Sequence, residues 1–166
     1  MFQDLQSGQA TKVAKSKPNF NMRTALSLAN FKNQFIFSLG GQNYFNTSAD
    51  AYRYEIKSAT WINIPAMNKS RCSHSSCFMG NHLYVSGGCN LEGHVASIER
   101  LAIADDESGA PLGGWETLQV SYEFFGRLLM APLDANEILL FHTRQNSVVI
   151  NIEQMTKKTI TLTGDT

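Results

Sequence analysis

Residues 71–89 read Arg71-Cys72-Ser73-His74-Ser75-Ser76-Cys77-Phe78-Met79-Gly80-Asn81-His82-Leu83-Tyr84-Val85-Ser86-Gly87-Gly88-Cys89. An arginine opens the stretch, a first strand is expected from Cys72 to Met79, and a second, more apolar one from His82 to Ser86 closes on a glycine pair. Gly and Asn between two β-prone runs predict a hairpin. The same order recurs on both sides. Arg23, Arg71 and Arg127 open similar stretches at spacings of 48 and 56 residues, Gly40-Gly41 and Gly87-Gly88 lie 47 apart, and Trp61 and Trp115 lie 54 apart. A self-similar period of this length marks a repeat architecture, in which each unit buries its apolar face only by stacking on a neighbour.

Each unit carries four strand signals. The first gives Thr24 to Ala29, Phe35 to Leu39, Ala51 to Ile56 and Trp61 to Ile64. In the second, Cys72 to Met79 and His82 to Ser86 are followed by Val95 to Ile103 and Trp115 to Val120, with a hydrophilic insertion at 105–114 ahead of the tryptophan. The third gives Leu128 to Ala131, Glu137 to His142, Ser147 to Ile152 and Lys158 to Leu162, with Phe141-His142 where the glycine pair stands in the others. The expected organisation is therefore 1–22, the outer half of a preceding unit plus linker; 23–70; 71–126; and 127–166, a degenerate copy.

The arginine, the two strands ending in Gly-Gly, and a Tyr followed seven residues later by Trp, as in Tyr54 and Trp61, resemble the kelch motif. Ile152 and Thr159 are expected at that Tyr and Trp offset in the third copy, and Leu101 takes the Tyr place in the second. Gln3 to Thr11 looks like the outer half of a further unit, with Ala10 at the Trp position. The resemblance implies an all-β fold: kelch-type β-propeller blades of four antiparallel strands, in an incomplete propeller. Propellers take roughly four to eight blades, so an open arc is expected, with blade edges that invite self-association.

Most motif residues read as architecture. Gly40, Gly41, Gly87 and Gly88 suit positive φ or a close backbone approach, both of which a Cβ would obstruct. Trp61 and Trp115 are expected to fill the wedge between blades, and Arg23, Arg71 and Arg127 to donate to carbonyls freed where blades meet. Gly87-Gly88-Cys89-Asn90 lacks the lysine and spaced glycines of a phosphate loop.

Candidate chemistry is sparse. Cys72, His74, Cys77, His82, Cys89 and His94 crowd six metal-ligand types together, but strand alternation puts Cys72 and His74 on one face and Cys77 on the other, so no metal site is expected. There is no nucleophile elbow and no His-Glu-x-x-His pattern, and Asp105-Asp106-Glu107 reads as solvated loop. No catalytic residue and no cofactor are expected. Lys plus Arg and Asp plus Glu balance at 14 each, so charge steers the chain toward neither nucleic acid nor an anionic membrane. Without a signal-like start or an 18-residue apolar span, and with three cysteines, the expected location is cytoplasmic.

Binding then falls to the loops. If strands alternate in direction, the loops between second and third strands share a rim with the connections between blades. That rim carries Asn43, Tyr44 and Phe45, then Asn90 and His94, then Arg144. Aromatic and arginine side chains beside adaptable amides suit peptide recognition. The resemblance implies a scaffold or substrate adaptor whose partner is a protein, a ubiquitin-ligase substrate or a cytoskeletal component. The alternative it carries is a propeller enzyme acting on a sugar-like small molecule.

Overall fold

The structure is a computed structural model of the chain and describes residues 2–3, 10–11, 23–44, 46–123, 128–142 and 147–160. A short pair, β1 (Phe2–Gln3) with β2 (Ala10–Thr11), sets Gln3 opposite Ala10. The first blade is β3 (Ser27–Phe31), β4 (Phe35–Leu39), β5 (Ala51–Glu55) and β6 (Thr60–Ile64), antiparallel and in chain order. In the second, β7 (Ser75–Met79) and β8 (His82–Ser86) are followed by a small hairpin, β9 (Cys89–Asn90) and β10 (Gly93–His94), then by β11 (Ser97–Ala102) and β12 (Glu116–Ser121). The third is β13 (Leu129–Pro132), β14 (Glu137–Phe141), β15 (Ser147–Asn151) and β16 (Thr156–Ile160). All described elements are β, in three four-stranded antiparallel sheets whose first strands lie side by side, β3 beside β7 and β7 beside β13.

Alternation along the strands makes each blade two-faced, and the blades stack face to face. Phe35, Phe37 and Leu39 of β4 meet Leu83 and Val85 of β8 together with Leu101, Ile103 and Trp115 in one core. Tyr84 and Ile98, on the opposite face of the second blade, meet Ile138, Leu140, Val148 and Ile150 of the third in another. Each fully buried Leu, Ile or Phe contributes on the order of 1.5–3 kcal/mol, so the two wedges supply much of the driving force. Phe31 and Phe78 stack across the first wedge with ring centres 4.6 Å apart.

The first strands of the first two blades start later than expected. Thr24 makes only an isolated bridge to Gln42, and Cys72 one to Cys89. Between these bridges and the strands stand Ala25 at φ 54° and Ser73 at φ 54°, whose left-handed backbone breaks the pleat. The two kinks are linked, since the Ser73 N–H donates to the Ala25 carbonyl at 2.8 Å. A period-two argument running from Cys72 through His74 to Cys77 therefore crosses a break in the strand.

The Tyr to Trp spacing has a direct cause. Tyr54 and Trp61 are opposite partners in the β5–β6 hairpin, with ring centres 4.9 Å apart. In the third blade the register pairs Ile150 with Lys157, and its strands close at Asn151 opposite Thr156 as the first blade's close at Glu55 opposite Thr60. Ile150 and Lys157 therefore hold the Tyr and Trp places, two residues before the Ile152 and Thr159 expected from spacing. Continuing the Arg100 to Glu116 pairing sets Leu101 across from Trp115, as expected.

The insertion at 105–114 is docked onto the first blade, where the sequence reads as a free loop. Gly109 is buried against Phe35, Arg53 lies over the Phe35 ring at 4.9 Å and donates to the Ser108 carbonyl, and Lys32 pairs with Asp105. Its own ends are tied by Ala104 N–H to Ala110 O at 2.8 Å and Leu112 N–H to Ala102 O at 2.9 Å.

Candidate functional site

One rim gathers the blade starts and the long inner loops. Gly41 N–H donates to Arg71 O at 2.9 Å, Arg71 N–H to Ser48 O at 3.1 Å, and Cys72 and Cys89 exchange backbone bonds at 2.9 and 3.0 Å. The connection into the second blade is thus clamped between loop 40–50 of the first blade and loop 87–96 of its own. The Cys72 thiol also donates to Gln42 Oε1 at 3.1 Å. Both loops project from this clamp.

The glycine pair makes the clamp close. A Cβ on Gly88 would lie 2.4 Å from Cys72 O, and one on Gly41 2.9 Å from Thr24 O, with φ at 83° and 98°. Gly40 and Gly87 also take positive φ.

Arg71 is 0% exposed and donates to Gly87 O at 3.0 Å, Ser97 O at 3.1 Å, Ser97 Oγ at 3.1 Å and Glu99 Oε1 at 2.6 Å. Every one of these partners belongs to the second blade, so the arginine ties its own blade together across the base of the loop. Its partner Glu99, also 0% exposed, is a residue sequence reasoning missed. The Glu99 carboxylate accepts from the Asn68 and Lys69 N–H groups at 2.6 and 3.2 Å, and it is this carboxylate that reaches the inter-blade connection. Strand alternation, which puts Glu99 on the same face as the buried Leu101, was the available signal. Arg23 has an analogous ion pair, to Asp50, whose carboxyl is held below its usual range mainly by that hydrogen bond. Arg127 lies outside the described residues.

Trp115 is buried in the first wedge and its Nε1–H donates to Pro65 O at 2.8 Å, which joins two blades. Trp61 is half-buried beside the buried Tyr54.

His74 is buried. Its Nε2 lies 2.8 Å from Ser27 Oγ, and Nδ1 has no hydrogen-bond partner among the described residues. Burial, then the Arg71 charge, hold its pKa down at about 3. The unfolded chain protonates this histidine below about 6.5 and the folded chain does not until about 3. Stability is therefore retained above pH 6.5 and falls as pH drops from there toward 3, by about 1.4 kcal/mol per unit. Thermal unfolding from pH 7 to pH 4.5 is expected to show this loss, and His74→Gln to flatten it. An unchanged slope in the variant would assign the acid sensitivity elsewhere.

Among the described residues, no group of three or more His, Cys, Asp or Glu is arranged to hold a metal ion. Cys77 sits against the core between the second and third blades, whereas Cys72 faces Cys89.

The rim loops carry the exposed apolar tips. Tyr44 is 84% exposed, on a turn that Asn43 shapes by accepting the Asn46 N–H on its Oδ1 at 2.9 Å and donating its own N–H to Asn46 O at 3.0 Å. Asn90 does the same for its hairpin, its Oδ1 accepting the Glu92 N–H at 2.9 Å. Asn43 and Asn90 thus shape turns. At that hairpin's tip Leu91 is 77% exposed, and an aliphatic loop residue carries no aromatic or polar signature in the sequence. His94 is exposed and pairs across the hairpin with Cys89. Phe45 and Arg144 lie outside the described residues.

Stacked four-stranded blades, the first two of them opened by an arginine and cinched by a glycine pair, are those of a kelch-type propeller. Residues 70–101, which hold the first three long strands of the second blade, match the family model described as the Kelch motif. Among curated proteins it is similar to Kelch-like protein 26 of Mus musculus, 32% identical over 71 residues, and to Kelch-like protein 22 of Xenopus tropicalis, 28% identical over 71 residues. The matches cover 40% and 41% of this chain, and the chain spans 12% and 11% of those relatives' lengths. No helix among the described residues is long and apolar enough to cross a membrane.

Proposed function

We propose that this chain is a non-catalytic protein-interaction module that binds a peptide segment of its partner across the rim formed by residues 42–47 and 89–94. The observation that carries this reading is the pair Tyr44 and Leu91, among the described residues the two most exposed large apolar side chains, at the tips of equivalent loops in consecutive blades. A large apolar side chain held out by a built turn costs solvation in the free protein and gains when a partner covers it. Asn43 and Asn90 hold the turns, so little ordering is left for the binding step. The family likeness favours a ubiquitin-ligase substrate or a cytoskeletal protein as the source of that peptide.

Selection of a random peptide library on the immobilised chain should yield binders that Tyr44→Ala with Leu91→Ala weakens by roughly tenfold to a hundredfold, with the circular dichroism spectrum unchanged. Selected peptides that bind the double variant as well as the parent would reject this surface.

A further inference from the structure

Two of the three cysteines meet at the start of the second blade. Cys72 and Cys89 form an isolated antiparallel bridge in which each N–H donates to the other's carbonyl, and their Sγ atoms lie 3.4 Å apart as free thiols. A hydrogen-bonded antiparallel pair holds its Cα atoms ~5.5 Å apart, within the ~4.4–6.8 Å that a disulfide accepts. Joining the sulfurs needs side-chain rotation with little backbone travel. The register is a property of the repeat. Thr24 and Gln42 make the same two-way bridge in the first blade, at the same places relative to the arginine and the glycine pair. Only the second blade fills both places with cysteine.

We propose that Cys72 and Cys89 are an oxidation site, a dithiol that a peroxide converts into a disulfide within the blade. Cys89 is half-buried and meets the oxidant first. Its thiolate attacks one peroxide oxygen, the O–O bond breaks, and Cys89 sulfenic acid and one water result. The Cys72 sulfur then attacks the Cys89 sulfur, the sulfenic hydroxyl leaves as a second water, and the S–S bond forms. Two thiols lose two hydrogens and two electrons, and one hydrogen peroxide is reduced to two waters. Cys72 is 2% exposed and burial is the main cause holding its thiol at about 11, so it acts as the resolving partner. The bond would close a span of 17 residues and fasten the hairpin that carries Leu91 to the start of its own blade.

The test is to expose the whole folded chain to hydrogen peroxide, alkylate the remaining thiols, and map peptides without reduction. A Cys72–Cys89 cross-linked peptide is expected, with one alkylatable thiol left of three, at Cys77, and all three restored by dithiothreitol. Cys77→Ser should cross-link as the parent does, while Cys72→Ser and Cys89→Ser should not. Peroxide products confined to sulfinic or sulfonic acid on Cys89, or a disulfide between two chains, would overturn the proposal. If either serine variant fails to fold, the peptide map of the parent chain decides alone.

Discussion

Arg71→Met is expected to destabilise the chain by about 3–5 kcal/mol, the range seen when one partner of a buried ion pair is removed. The guanidinium is fully buried and makes four hydrogen bonds, one to Glu99 and three to the loop ends at Gly87 and Ser97. Its loss would strand the Glu99 carboxylate, with only the Asn68 and Lys69 N–H groups to hold it. Urea denaturation followed by fluorescence reads the change as a fall in midpoint at constant slope. If the uncompensated charge is the cause, Glu99→Gln in the Arg71→Met background should recover about half of the loss. A loss under about 1 kcal/mol would mean that the pair behaves as an exposed one does.

Gly88→Ala ranks second, at about 3 kcal/mol or more, because two penalties coincide. Positive φ costs a residue with a Cβ roughly 1–3 kcal/mol, and Gly88 stands at 83°. The new Cβ would also lie 2.4 Å from Cys72 O and 2.9 Å from His74 Cβ, atoms held by the clamp and unable to yield cheaply. Gly80→Ala separates the two effects. Gly80 has φ 55° with nothing within 4 Å of its Cβ position, so its cost should be the conformational part alone, about 1 kcal/mol. Equal midpoints for the two variants would show that the close approach at Gly88 carries no energy.

Much of the fold could be read in advance because it is local and periodic. Alternation along Phe35 to Leu39 and His82 to Ser86 marks strands that match the observed bounds residue for residue. The glycine pairs record a close approach that the first two blades share, and the Tyr54 to Trp61 interval records the register of one hairpin. Where the motif decays the sequence misleads. With neither aromatic present in the third blade, spacing points to Ile152 and Thr159, while hairpin register places the equivalent pair at Ile150 and Lys157. Positive φ at Ala25 and Ser73 has no signature in either residue type; the two are tied to each other by the Ser73 N–H to Ala25 O bond across 48 residues.

The candidate site was legible in outline. Loop position on the rim follows from counting strand reversals, so Tyr44 and the Asn90 to His94 hairpin could be named, whereas Leu91 carries no aromatic or hydrogen-bonding signature.

The repeat of Arg, Gly-Gly and Trp by itself determined that this chain builds kelch blades, because each motif residue answers a constraint inside or beside its own unit. Only the tertiary structure decided that Arg71 is neutralised by Glu99, that His74 is sealed against Ser27, that residues 105–114 lie on Phe35, and that Cys72 faces Cys89. Those pairs are separated by 17 to 74 residues and meet through blade stacking and loop closure, which no local pattern of residues encodes.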